Sequence, residues 1–199
     1  MLRTDGITIV QKEPYRYGYI DDALLDPSLL KHFPPISAFH PLPDYDGSVK
    51  LHLQKRAEGI KQHVGEWRDF RDWILDGGFR DWVGNQFGVE GGNARLEFSA
   101  LPAPMGNVGV HTDISRKVFS AIIYHSGIPG ETQFGNSPEG PWTNVPWKIG
   151  RMGFFERSDA SWHKVDPVGG KVGQYRNSIT LQLMRKTWRQ ERADGVAIK

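Results

Sequence analysis

In Arg176-Asn177-Ser178-Ile179-Thr180-Leu181-Gln182-Leu183, polar and apolar side chains alternate from Ser178 onward. A β-strand turns successive side chains to opposite faces, so Arg176, Ser178, Thr180 and Gln182 share one face while Ile179, Leu181 and Leu183 share the other. The apolar row belongs against a core. The polar row needs a different explanation, because a guanidinium turned into a protein interior is costly unless it meets an anion. Arginine suits a carboxylate, since its planar fork donates two parallel hydrogen bonds. The plain structural alternative is a carboxylate of the protein itself.

Outward from this stretch, strand patterns fill the second half of the chain. Candidate strands run over 94–101, 107–113, 118–125, 131–134, 150–156, 161–168 and 176–184. Gly- and Pro-bearing breaks separate them, and Met105-Gly106-Asn107 and Gly169-Gly170-Lys171 read as turns. So many short strands in about ninety residues predict a sandwich or barrel-like sheet. Segment 135–148, with Pro138, Pro141, Pro146, Trp142 and Trp147, is expected to be a loop, and a loop of that length at the mouth of a barrel is often a substrate lid.

The first half reads as mostly helical. Residues 7–11 are a short strand, after which Asp21 or Asp22 is expected to cap a helix carrying Leu24, Leu25, Leu29 and Leu30, stopped by Pro34 and Pro35. Val49, Leu53, Ala57, Ile60 and Val64 recur at steps of three and four, predicting a second helix. Trp67, Phe70, Trp73 and Ile74 continue the helical rhythm as far as Gly77-Gly78, and Phe79, Trp82, Val83 and Phe87 mark a shorter helix beyond. The expected organisation is one domain over 1–199: a helical support region at 1–92, a β core at 93–184 and a tail at 185–199.

Composition excludes more than it identifies. A hydrophobic fraction of 38% with 12% aromatics is that of a folded protein. Twenty-five basic against 23 acidic residues leave a net charge of +2, too little to imply a nucleic-acid or membrane partner. With no cysteine, any metal must be held by nitrogen and oxygen. Arg3, Asp5 and Gly6 break any signal-like run and no apolar stretch reaches transmembrane length, so a cytoplasmic protein is expected.

His111-Thr112-Asp113 is the first chemical motif. Residues two apart on a strand project to the same side, so His111 and Asp113 can converge on one point. His163, fifty residues after Asp113, lies on a strand that a barrel can fold back beside the first. Two imidazoles and one carboxylate leave coordination positions open, the donor set associated with non-haem Fe(II) oxygenases. Arg176 follows thirteen residues later, enough to turn through Gly169, Gly170 and Gly173 into an adjacent strand.

These residues resemble the Fe(II)/2-oxoglutarate-dependent oxygenases, and within them the prolyl-4-hydroxylase-like branch. The likeness covers 94–184 through His111-Thr112-Asp113, Gly130-Glu131-Thr132-Gln133-Phe134, Gly150-Arg151-Met152-Gly153-Phe154-Phe155, Ser161-Trp162-His163 and Tyr175-Arg176-Asn177-Ser178. It implies a double-stranded β-helix of jelly-roll or cupin-like form, with Fe(II) held by His111, Asp113 and His163. Arg176 and Ser178 would bind the distal carboxylate of 2-oxoglutarate, with Tyr124 in contact with the same group. The implied reaction consumes O2 and 2-oxoglutarate, releases succinate and carbon dioxide, and hydroxylates an unactivated C–H bond. Related halogenases replace the carboxylate ligand with a small residue, so Asp113 favours hydroxylation. One departure stands out: the prolyl-hydroxylase branch commonly has lysine where this chain has Arg176.

A small-molecule substrate is expected, with peptidyl proline as the alternative. A non-catalytic cupin-like metal-binding module is a second reading, and nucleic-acid binding through the basic residues of 185–189 a weaker third. His125 should face away from Tyr124, and His32, His40, His52 and His63 carry no paired carboxylate pattern; all are read as structural or exposed. Arg116 and Lys117 are placed where they can attract an anion, but are read as solvated loop charges. Trp142, Trp147 and Trp162 are read as packing or as lining an entrance.

Overall fold

The chain is described by a computed structural model over residues 1–41, 48–54 and 65–186. Its strands are β1 (Ile7–Gln11), β2 (Tyr17–Ile20), β3 (His40–Pro41), β4 (Leu51–Gln54), β5 (Ala94–Pro102), β6 (Val108–His111), β7 (Lys117–Gly127), β8 (Thr132–Gly135), β9 (Thr143–Val145), β10 (Met152–Glu156), β11 (Trp162–Val165) and β12 (Tyr175–Met184). Among the described residues, two α-helices, α1 (Arg68–Leu75) and α2 (Gly78–Phe87), lie between β4 and β5.

The strands form a large sheet in the order β1-β2-β10-β7-β12-β5-β4-β3 and a small one in the order β6-β11-β8-β9. From β5 onward the chain crosses repeatedly between them: β5, β7, β10 and β12 enter the large sheet, and β6, β8, β9 and β11 the small one. Two facing sheets wound in this manner make a double-stranded β-helix. The strand β12 lies at its centre, paired antiparallel with β5 on one side and β7 on the other.

The alternation along β12 decides where the core goes. Ile179, Leu181 and Leu183 are fully buried on the outer face of the large sheet. They belong to one apolar cluster with Phe98, Phe119, Ala121, Ile123 and Phe154 from neighbouring strands, and with Trp67, Phe70, Ile74, Phe79, Trp82 and Phe87 from the helical segment. Each such side chain contributes about 1.5–3 kcal/mol by leaving water. The helices therefore cover the outer face, and the polar face of β12 is left for the space between the sheets. Gly77, at φ 105, lets the chain turn sharply from α1 into α2, a conformation that a side-chain-bearing residue rarely adopts.

The first 92 residues depart from the helical expectation, since β1 to β4 all join the large sheet. The predicted stripe from Val49 to Val64 begins as a strand: Leu51 to Gln54 pair with Glu97 to Ala100 of β5. Residues 55–64 lie outside the described residues. Within Leu51-His52-Leu53-Gln54 the period is two, and pairing with an open sheet edge prevailed over the period-four reading of the apolar residues alone. The helix expected at Asp21 or Asp22 is instead a short 3-10 turn, Pro27–Lys31, whose cap is Asp26: its side chain accepts a hydrogen bond from the Ser28 N–H at 3.0 Å. Proline at the first helical position and aspartate before it are a stronger start signal than leucine spacing. Asp21 pairs with Arg151 at 2.6 Å.

Segment 135–148 is not a free loop throughout. Its second half contains β9, which pairs with β8 through Thr132↔Val145 and Phe134↔Thr143 and buries Val145 completely. Among the described residues no helix is long and apolar enough to cross a membrane.

Candidate metal centre and acid pocket

His111 ends β6, and His163 on β11 is its direct cross-strand partner. Their ring centroids lie 4.2 Å apart. Asp113 follows two residues after His111, with its Oδ1 4.0 Å from His111 Nε2. One ligand atom from each of the three residues falls within 4.8 Å of the others. Asp113 and His163 are buried and His111 is partly so, which suits a site reached from one side.

Backbone carbonyls orient both imidazoles. His111 Nδ1 donates to Gly109 O at 2.9 Å, and His163 Nδ1 donates to Ser161 O at 3.0 Å. A carbonyl only accepts, so each Nδ1 carries the proton and each Nε2 is the ring nitrogen that can ligate a cation. Burial, with His111 beside it, lowers the His163 pKa to about 4, so the ring is neutral at physiological pH. Burial pushes Asp113 up, but Lys117, His163 and two hydrogen bonds outweigh that and hold the carboxyl below its ordinary value. Two imidazoles and one charged carboxylate fit a divalent transition metal that accepts nitrogen and oxygen donors.

Asp113 is supported from β7. Its Oδ2 accepts from Ser120 Oγ at 2.6 Å and its Oδ1 from the Lys117 ammonium. Lys117 is thus not the solvated loop charge expected from sequence. It lies within β7, where the strand carries it toward Asp113. Arg157 Nε also donates to the Asp113 backbone carbonyl at 3.0 Å.

Arg176 is buried at the other end of the same cavity, a space of about 110 Å³ that His111, Asp113 and His163 also line, with Ser178 and Thr132. Its Nε donates to Gly130 O at 2.6 Å, one terminal nitrogen to Thr132 Oγ1 at 3.2 Å and the other to Ser178 Oγ at 3.4 Å. The guanidinium carbon lies 5.1 Å from the Tyr124 ring centroid and 5.4 Å from that of Trp147. Every partner is neutral, and burial lowers the Arg176 pKa. Among the described residues no carboxylate lies within 4.0 Å of it, so the alternative of a protein carboxylate partner finds no support. Gly130 leaves room for the guanidinium stem: a Cβ there would sit 2.5 Å from Arg176 Cδ.

The fold thus gathers His111, Asp113 and His163 at one point and Arg176, Ser178 and Tyr124 at another. Tyr124 is fully buried, its hydroxyl accepting from Thr132 N at 3.2 Å and donating to Val145 O at 3.3 Å, while its ring flanks Arg176. Trp147 stacks on Tyr124 at 4.8 Å, so its ring packs beside Arg176. His125 faces the opposite side and is structural: its Nε2 lies 2.8 Å from His32 O, tying the sheet to the N-terminal 3-10 turn. Ser120 and Thr132 escaped the sequence reading. Ser120 was within reach of it, since it lies four residues before Tyr124 on one strand face; Thr132 became relevant only when β8 was placed opposite β12.

No family model matches the chain, and no curated protein matches it. Solved structures do. A Pseudomonas putida prolyl-4-hydroxylase superposes with a TM-score of 0.55 at 15% identity, over 86% of this chain and 94% of that one. A Trichoplax adhaerens prolyl hydroxylase, in complex with a hypoxia inducible factor peptide fragment, gives 0.57 at 12% identity over 92% and 87%. The non-heme alpha ketoglutarate dependent epimerase SnoN from nogalamycin biosynthesis gives 0.57 at 12% identity over 86% and 78%. The chain therefore shares the double-stranded β-helix fold of these oxygenases.

Proposed function

We propose that this protein is an Fe(II)- and 2-oxoglutarate-dependent oxygenase that hydroxylates a C–H bond of a small molecule. The observation that carries the reading is a buried arginine without a carboxylate partner among the described residues, in the same cavity as two histidines and an aspartate that converge within 4.8 Å. A cation site and an anion site in one small space suit a metal-chelating diacid. His111 Nε2, His163 Nε2 and an Asp113 oxygen would hold the iron. Arg176, with Ser178 and Thr132, would hold the far carboxylate of 2-oxoglutarate.

When bound, iron and 2-oxoglutarate supply oxidative decarboxylation, in which O2 oxidises the keto acid to succinate and carbon dioxide and delivers one oxygen atom to the substrate. The chain's own contribution is positional. Gly109 and Ser161 keep both Nδ1 protons away from the centre, Ser120 fixes the Asp113 carboxylate, and Arg176 sets the register of the diacid. Phe134 and Phe155, fully buried near His163, keep water from that side.

The fold relatives include a prolyl hydroxylase in complex with a peptide fragment and an epimerase of nogalamycin biosynthesis. We favour a small molecule because the cavity measures about 110 Å³; peptidyl proline is the alternative. The test is anaerobic addition of Fe(II) and 2-oxoglutarate, expected to raise a visible charge-transfer band, followed by O2 and substrate, expected to release succinate. Absence of the band refutes the reading. A band with no succinate from any substrate leaves a metal-binding module of cupin type.

A further inference from the structure

Arg95, Arg116 and Arg185 stand around the end of the barrel where Asp113 lies. All three are exposed. Gln182 of β12 pairs with Arg95 of β5 on one side and Ser120 of β7 on the other, which makes the three one rung of the large sheet. Directly paired residues project from the same face. That face carries the cavity, since Gln182 and Ser120 both line it. Arg95 therefore stands two strand spacings from Ser120, about 10 Å between Cα atoms, and Ser120 Oγ is 2.6 Å from Asp113 Oδ2. Arg116 follows Asp113 by three residues, and Arg185 N donates to Arg116 O at 2.6 Å, bringing those two together.

The acids of this end are engaged elsewhere: Glu97 by Lys50, Asp113 by Lys117, Asp159 by Arg157 and Glu90 by Lys186. Among the described residues none lies within 4.0 Å of the three arginine guanidiniums. A chain whose net charge is only +2 has gathered at one mouth three cations without an acid partner among the described residues, where a cleft with low-dielectric walls focuses the field on an incoming anion. This anion is not the one assigned to Arg176. Gln182 lies six residues beyond Arg176 on the same face of β12, about 20 Å along the strand, so the cavity offers two anion seats at opposite ends with the candidate metal centre between them.

We infer that the substrate is a small oxyanion, a carboxylate or a phosphate, whose acid group is held by Arg95 at the mouth while its carbon skeleton reaches toward Asp113 and the two histidines. The inference rests on the oxygenase reading for what happens to that skeleton, but not for the binding of its acid group. A guanidinium grips either oxyanion through paired hydrogen bonds. Arg116 and Arg185 steer the acid in.

The test separates the two ideas. In metal-free protein, the Arg95 Nε–H resonance, assigned by its loss in R95Q, is followed during titration with hexanoate and with hexanamide, and with glucose 6-phosphate and with glucose. The expected result is a saturable shift with an acid and none with its neutral partner; response to hexanoate alone assigns a carboxylate, and response to the sugar phosphate alone a phosphate. Affinity for the responding acid, read from resonances of the mouth, should fall about tenfold in R95Q and further in R95E, while thermal melting shows both variants folded. Equal response to acid and neutral partner, no response to any acid, or unchanged affinity in R95Q overturns the inference. Failure of the Fe(II)·2-oxoglutarate band beside an intact Arg95 response overturns the oxygenase reading instead.

Discussion

The two ends of the cavity treat buried charge in opposite ways. Asp113 has a cation at hand, the Lys117 ammonium, and Ser120 completes its shell. Arg176 is surrounded by a carbonyl, two hydroxyls and two aromatic faces, all neutral. A buried ion normally carries its counter-charge in the same structure, because an unpaired one costs several kcal/mol. An arginine pocket with hydrogen bonds but no counter-charge is organised for an anion that arrives from outside. The Asp113 end is organised for a cation, since two imidazole lone pairs are aimed where the carboxylate already lies.

The contrast can be broken most severely by removing a donor. His163→Ala should lower metal affinity by more than the roughly 10–100-fold that loss of a supporting hydrogen bond costs, checked by titration with Mn(II), and should abolish the charge-transfer band. Retention of wild-type affinity would mean that the histidine pair is structural. At the other end, Arg176→Met should weaken 2-oxoglutarate binding by about 2–5 kcal/mol, measured calorimetrically, with Mn(II) affinity in the absence of the diacid little changed. Parallel loss of both ligands would show that the two ends act as one unit.

Acid sharpens the comparison because it acts on the metal end alone. Burial holds His163 neutral, lowering its pKa from 6.5 to about 4, so the unfolded chain takes up a proton that the folded one refuses. The stability that depends on this neutrality is complete above pH 6.5 and is lost as pH falls toward 4, by roughly 3 kcal/mol. His125, also lowered by burial, adds to the loss from 6.5 downward. Asp113, held below 3.8, contributes only at lower pH. Urea unfolding of metal-free protein across this range should show a slope that is reduced in His163→Gln; an unchanged slope would contradict a buried neutral ring. The smallest effect should come from Ser120→Ala, which leaves the donors intact but frees the Asp113 carboxylate: about a tenfold loss of Mn(II) affinity, with 2-oxoglutarate affinity in the loaded enzyme following only through the metal.

The β core was legible because its signal is local. Period-two alternation in β12 required one buried and one polar face whatever the neighbours, and His111-Thr112-Asp113 required two donors on one side of a strand end. The β4 region was misread for a related reason: Leu51-His52-Leu53-Gln54 alternates as a strand, but Val49, Leu53 and the apolar residues downstream also satisfy a helical count, and a short window holds both. What settled Leu51 to Gln54 as a strand was the edge of β5, to which they pair.

From sequence alone came the residue types, their faces and hence the chemistry: nitrogen and oxygen ligands in a chain without cysteine, and an inward arginine in need of an anion. Only the tertiary structure decided which partners those groups have. Lys117, four residues after Asp113, turns back to it at the start of β7, His163 meets His111 because β11 pairs with β6, and Arg176 meets neutral atoms because Gly130 and Thr132, at and just before the start of β8, lie across the barrel. Alternation along a strand is set by backbone geometry within a few residues, whereas the surroundings of Arg176 and the meeting of His111 with His163 depend on segments far apart in sequence and adjacent only once the sheets have closed.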